Sequence, residues 1–233
     1  MRRSNVAKRL SAGALALLAA GCLTEASAEM TVIRGEGSAA SADTASVYFN
    51  SGINDRSVSS LLAALSDIAL KYPTIKNVNL HLNSGGGMMN AGYVAYEFIR
   101  RYPLHVNVTN AAATDSAATM IYCAAADRYA EPLSSFLLHP AAAEIAANGF
   151  IKPDQARQAV QDAERANLKF SEIYKSCLKL APDALATLLS SESNSRHLNY
   201  AAAKDIGLIT RAQDQLPEGS DRAAYFISDG GGR

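Results

Sequence analysis

Apolar residues recur along this chain at two spacings, every second position and every third to fourth, and the switches between them mark out its elements. Val47-Tyr48-Phe49 reads as a short strand closed by Ser51-Gly52. From Asp55, which can cap a helix, Val58, Leu61, Leu62, Leu65 and Ile68 hold helical spacing until Pro73. Val78, Leu80 and Leu82 then alternate with Asn77, Asn79 and His81, predicting a strand that delivers the chain to Asn83-Ser84-Gly85-Gly86-Gly87. Ala91, Val94, Ala95, Phe98 and Ile99 predict a second helix, stopping near Pro103, and Leu104, Val106 and Val108 a further strand. Strand, helix, strand, helix, strand is the order of right-handed parallel units in an α/β fold, whose ligands gather beyond the carboxyl ends of the strands. The glycine turn and the approach to Ser116 both fall there.

The second half is less regular. A helix is expected from Ser116 to Ala126 with Thr114 or Asp115 as its cap, then short strands at Arg128-Tyr129-Ala130 and from Ser135 to His139. After a loop over 141–152, Pro153-Asp154 opens a long helix running to about Leu180, with proline where its missing donor is not needed. Val160, Leu168, Ile173, Cys177 and Leu178 give that helix an imperfect apolar stripe. It reads either as a partner-binding arm or as a cover for its own sheet. Short helices are expected over Pro182 to Ser190 and Ala201 to Ile206, followed by a polar, loose tail over 211–233. Residues 29–45, rich in Ser, Ala, Gly and Thr, read as a flexible linker into a single domain over 46–210.

Composition narrows the class. With 233 residues, 48% apolar and 19% charged, the chain can bury a sizeable core. Its formal charge is zero, but Arg2, Arg3, Lys8 and Arg9 stand against Glu25 alone in the first 28 residues; of 22 basic and 22 acidic side chains, 18 and 21 remain beyond them. That is no footprint for nucleic acid. The basic start, the apolar run from Leu10 to Ala20 and the small residues after it form the three regions of a secretory signal peptide over 1–28. Ala26-Ser27-Ala28 is a small-x-small cleavage site that would make Glu29 the mature terminus. The rival is Ala19-Ala20-Gly21-Cys22, a lipoprotein-like site that would leave a membrane tether on Cys22. Both readings imply export, most simply to a bacterial periplasm. Cys123 and Cys177 are expected to be two separate buried thiols, although an oxidising compartment also permits a bond between them. No cysteine or histidine stands at metal-ligand spacing, and no cofactor is expected.

The chemistry lies between Asn83 and His139. A serine hydroxyl is a poor nucleophile until a base takes its proton, and a tetrahedral oxyanion needs fixed donors. Ser116 heads a helix, where the following amide, that of Ala117, has no internal acceptor. Gly87, lacking a side chain, can bring a second amide close. His139, at the end of an apolar strand, is a candidate base. Each piece alone is more often a turn, a cap or a structural histidine; order and spacing raise them together. His81 and His105 read as outward-facing or packed strand residues, and His197 has no assigned role.

These residues resemble the Clp protease proteolytic subunit family. Its Asn-Ser-Pro-Gly-Gly pattern followed by Ala-Gly is similar to Asn83-Ser84-Gly85-Gly86-Gly87 through Ala91-Gly92. Its nucleophile segment resembles Ser116-Ala117-Ala118, Arg128, Pro132 and Phe136-Leu137-Leu138-His139, and its closing element resembles Ala201 to Ile209. The resemblance implies a Clp/crotonase-like spiral of ββα units, an α/β single domain assembling into homo-oligomers, with Ser116 as nucleophile, His139 as base and the Gly87 and Ala117 amides as oxyanion donors. Its third member, an aspartate, aligns near Ser195, where the chain reads Glu192-Ser193-Asn194-Ser195-Arg196-His197. Asn194 is the expected orienting residue, with Glu192 the alternative. Asp115 stands where the family has a small residue, either capping the helix or sitting beside His139.

Three functions follow. The first is an exported, ATP-independent serine endopeptidase acting on peptides or unfolded segments through a Ser/His site with a non-standard third member. The second is a catalytically decayed relative serving as a binding or assembly module. The third, a crotonase-type acyl-CoA enzyme, is disfavoured by export and by the serine/histidine pairing.

Overall fold

In the computed structural model, residues 28–34, 43–143, 150–217 and 221–229 are described. Residues 1–27 of the expected leader, with Cys22 and its processing site, lie outside them. The elements in chain order are β1 (Ala28–Arg34), β2 (Thr44–Asn50), α1 (Asp55–Lys71), β3 (Asn77–Ser84), α2 (Met89–Arg100), β4 (His105–Asp115), α3 (Ala118–Cys123), β5 (Asp127–Ala130), β6 (Ser135–Leu138), α4 (Pro153–Cys177), α5 (Pro182–Leu188), β7 (Arg196–Leu198), α6 (Tyr200–Asp205) and β8 (Asp221–Asp229). The first helix is capped one residue earlier than its charge pattern suggests. Asn54 holds extended backbone and accepts from the amides of Arg56 and Ser57, while the Ser57 hydroxyl accepts from the Asn54 amide. Asp55 instead occupies the first turn, where its charge favours the helix dipole.

One sheet runs β1-β8-β2-β3-β4-β6-β7, with β5 also pairing β4. β2, β3 and β4 are mutually parallel, as their α1 and α2 crossovers require. β4 forks: its first half pairs β5 and its end pairs β6. Between β3 and β4 the register slips, because Leu82 pairs Asn110 whereas Ser84 pairs Thr114. The bulge falls beside the glycine turn.

Val47, Phe49, Leu61, Leu65, Ile68, Val78, Leu80, Leu82 and Val108 form the core beneath α1 and α2. Two stretches differ from expectation. Residues 221–229, expected within a loose tail, form β8, inserted between β1 and β2; Ala223, Tyr225 and Ile227 alternate into the core, and the Tyr225 hydroxyl donates to Asp67 Oδ2 at 2.6 Å. Part of the expected flexible linker is β1, held antiparallel against β8. Both strands form through long-range pairing, and only β8 buries side chains; local composition reveals neither.

The long helix α4 stops at Cys177, where Leu178 turns extended. Val160 and Leu168 of the expected stripe are exposed, and no residue before Phe170 is buried. Its buried residues all lie in the last two turns, at Phe170, Ile173, Tyr174 and Cys177. There Cys177 is bonded to Cys123 at the end of α3, correcting the expectation of two free thiols. The Arg128 guanidinium ties the same corner by donating to the carbonyls of Leu208, Ala125, Cys177 and Gly207. Its motif position is therefore explained by packing.

Candidate active site

Asn83 begins the site by closing the bulge. Its Oδ1 accepts the Ala113 amide at 3.2 Å, and its Nδ2 donates to Asn50 Oδ1 at 2.6 Å. Beyond it the chain turns on two glycines in the left-handed region, Gly86 at φ 91° and Gly87 at φ 144°. The Gly86 carbonyl accepts from the Ile53 amide at 2.8 Å and the Ile53 carbonyl from the Met88 amide at 2.7 Å, clamping the turn to the end of the preceding loop. A Cβ on Gly86 would lie 2.6 Å from Ser116 Cβ, and one on Gly87 2.3 Å from the Ile53 carbonyl oxygen. Only glycine fits either place. Gly85 faces open space, so the proline of the resembling pattern is not demanded by packing.

Ser116 is not the first residue of a helix. β4 runs through Asp115, Ser116 takes φ 53°, Ala117 is the N-cap, and α3 spans only Ala118–Cys123. A left-handed serine costs about 1 kcal/mol, and here the surroundings over-determine it. Its amide donates to the Leu137 carbonyl at 2.9 Å; its own carbonyl accepts from the Thr119 amide at 2.9 Å and the Thr119 hydroxyl at 2.6 Å. The fully buried Tyr174 hydroxyl lies 2.7 Å from Thr119 Oγ1, passing this restraint to α4. A sharp strand-to-helix turn of this kind presents a nucleophilic hydroxyl. Among the described residues, neither the Gly87 nor the Ala117 amide has an acceptor.

His139 follows β6, whose pairing of Leu137 with Asp115 sets the histidine's backbone beside the serine turn. Its ring is largely covered, and Nδ1 lies 3.5 Å from Glu192 Oε2. That orientation leaves Nε2 for proton transfer. Asn194, the expected orienting residue, is turned elsewhere: its Nδ2 donates to the Thr187 carbonyl at 3.0 Å and Ser190 Oγ at 3.1 Å. Asp115, Leu137 and His197 line up across β4, β6 and β7. Burial pushes the Asp115 carboxyl up, partly offset by the Leu137 amide and by the charges of His197 and His139. Asp115 therefore ends a strand beside the histidines and caps no helix.

A cleft of about 580 Å³ opens next to the glycine turn, lined by Ile53, Gly87, Met88 and Asn90 on one side and by Asp162, Arg165 and Lys169 of α4 on the other. Sequence reasoning missed this wall. Its charges lie on a helix far along the chain, and only the tertiary fold brings them to the turn. Among the described residues, no group of three His, Cys, Asp or Glu side chains is placed to hold a metal, and no helix is long and apolar enough to cross a membrane.

A family model described as Clp protease matches residues 38–215. The chain belongs to the Clp protease family. It is 26% identical over 166 residues to the ATP-dependent Clp protease proteolytic subunit of Dehalococcoides mccartyi, covering 70% of this chain and 78% of that one. Its fold is similar to that of a point mutant of ClpP1 from Listeria monocytogenes, with a TM-score of 0.57 and 21% identity, covering 74% of this chain and 94% of that one. The Clp/crotonase-like architecture expected from the sequence is thus the one observed. The Clp-family match also spans all the site elements from Asn83 to Glu192.

Proposed function

We propose that this Clp-family chain is an exported serine peptidase, working without an ATPase as a homo-oligomer. Ser116 is the nucleophile, His139 the base, the Gly87 and Ala117 amides the oxyanion donors, and Glu192 the residue that orients His139. His139 Nε2 takes the Ser116 proton as Oγ attacks a peptide carbonyl, and the oxyanion forms against the two amides. Collapse breaks the C–N bond, the departing amine takes the proton from His139, and water, activated by the same ring, hydrolyses the acyl-serine. Glu192, 3.5 Å from Nδ1, stabilises the imidazolium that forms at each step.

The observation that carries this reading is the left-handed Ser116 turn, held at both its amide and its carbonyl beside two amides that have no acceptor among the described residues. Export is supported by the leader-like first 28 residues and by the Cys123–Cys177 bond, which an oxidising compartment allows. Cleavage before Glu29 would leave β1 nearly whole. Outside the cytoplasm ATP is absent, hence the independence from an ATPase. The homo-oligomer rests on family membership. A second reading, a binding module with a decayed site, is favoured by the exposure of Glu192, 75% of whose side chain is open to solvent. Hydrolysis of unfolded casein by the purified chain separates the two. The peptidase reading expects turnover that both Ser116→Ala and His139→Ala abolish, whereas no turnover, or turnover surviving both substitutions, favours the binding module.

A further inference from the structure

We propose that the cleft beside the glycine turn selects peptides carrying a carboxylate, with Lys169 as its counter-ion. The inference deepens the peptidase reading and rests on it only for the ligand being a peptide. The cleft adjoins Gly87, so whatever occupies it lies next to a carbonyl held by the oxyanion donors. Its near wall, Ile53 and Met88, is apolar and suits the body of an extended chain; its far wall is charged.

On that far wall the charges are not equivalent. Arg165 is ion-paired with Asp162, whose carboxylate also accepts from Gln158. Lys169, one helical turn beyond Arg165 and half-buried, has only neutral partners among the described residues: its Nζ donates to Asn90 Oδ1 at 2.6 Å and lies 5.1 Å from the centre of the Tyr93 ring. Asn90 and Tyr93 belong to α2, so the ammonium bridges the two walls across the mouth of the cleft. An ammonium held by an amide oxygen and a ring face, in a part-covered groove, is a site for an anion that exchanges with the amide. A peptide supplies such an anion from an Asp or Glu side chain or from its own C-terminus.

Equilibrium binding to full-length Ser116→Ala protein, which cannot turn over, tests this with three labelled peptides of one neutral sequence. One carries an internal Glu and an amidated end, one a free C-terminal carboxylate, and one neither. The expected result is tighter binding of one carboxylate peptide over the neutral amide, by about 5-fold, as for a partly exposed ion pair. Which one gains tells side chain from terminus. Lys169→Met should erase the gain while leaving the neutral peptide's affinity in place, Lys169→Arg should retain it, and Lys175→Met, removing a cation paired with Glu172 outside the cleft, should not alter it. Equal affinities for all three peptides, or equal losses from Lys169→Met and Lys175→Met, overturn the proposal. A carboxylate preference in a protein that fails to hydrolyse casein upholds the cleft and removes the peptidase reading alone.

Discussion

The two halves of the candidate site are built to different standards. On the nucleophile side, Ser116, Ala117, Gly86 and Gly87 are fixed almost wholly by backbone hydrogen bonds and glycine-only contacts, with Tyr174, Thr119 and the Cys123–Cys177 bond behind them. On the base side, His139 follows a four-residue strand, and the acid facing it hangs from an exposed 3₁₀ turn at 3.5 Å. The geometry proposed to bind a transition state is thus the more tightly held, whereas the group proposed to orient the base is adjustable. Oxyanion stabilisation needs preorganisation, because dipoles that must move at the moment of reaction lose their advantage. A carboxylate beside an imidazole acts through charge and tolerates a looser tether.

If the nucleophile side is the rigid one, damage there should be costly in stability. Replacing Cys123 and Cys177 together by serine opens a loop spanning 54 residues and should lower unfolding free energy by about 4 kcal/mol in denaturant titrations. A loss under 1 kcal/mol would mean the α3–α4 corner is held by packing and Arg128 alone. Gly86→Ala comes next. The added methyl meets Ser116 Cβ and the Asp115 carbonyl, so stability should fall by about 3 kcal/mol and casein hydrolysis by at least about 100-fold. Gly85→Ala, in open space, should leave both unchanged.

The base side should show the opposite balance. Glu192→Gln should reduce turnover by about 10- to 100-fold, less than the roughly 10⁴ known for a buried triad aspartate, with stability within about 0.5 kcal/mol of the parent. Asn194→Ala, which loses two local hydrogen bonds, should leave turnover intact; were it the more damaging substitution, the orienting role would pass to Asn194.

The smallest effect is at Asp115, between the two halves. Burial raises its folded carboxyl above the unfolded value, so the native state favours the protonated form. Its cost is absent well below the unfolded value and grows as pH rises through it. Solvent screening holds the cost to a few tenths of a kcal/mol, so Asp115→Asn should stabilise slightly at neutral pH and not at acid pH, as thermal melts at both would show.

The same contrast governs how much could be read from the chain. The parallel units through β2, α1, β3, α2 and β4 follow from Val58 to Ile68 and Val78 to Leu82, where local period and tertiary burial agree. Gly86 and Gly87 stand out because the turn admits only glycine, whereas Ser116 and His139 stand out by chemical type and order along the chain. β1 and β8 were missed although Ala223, Tyr225 and Ile227 alternate, since the alternation is short, interleaved with Arg222 and Phe226, and rescued by pairing with distant strands. Ser116 was placed in a helix because alanines follow it; the left-handed turn is imposed by Leu137 and Thr119, which sequence does not show in contact. The Glu192 approach to His139 depends on a turn whose residues all carry polar side chains, and nothing local chooses among Glu192, Ser193, Asn194 and Ser195.

The central claim is acyl transfer at Ser116, and covalent labelling tests it without knowledge of the substrate. The full-length protein, treated with a fluorophosphonate and mapped by peptide mass spectrometry, should carry one adduct on Ser116, absent from Ser116→Ala and slowed in Glu192→Gln. No adduct, or one that persists in Ser116→Ala, would contradict the account.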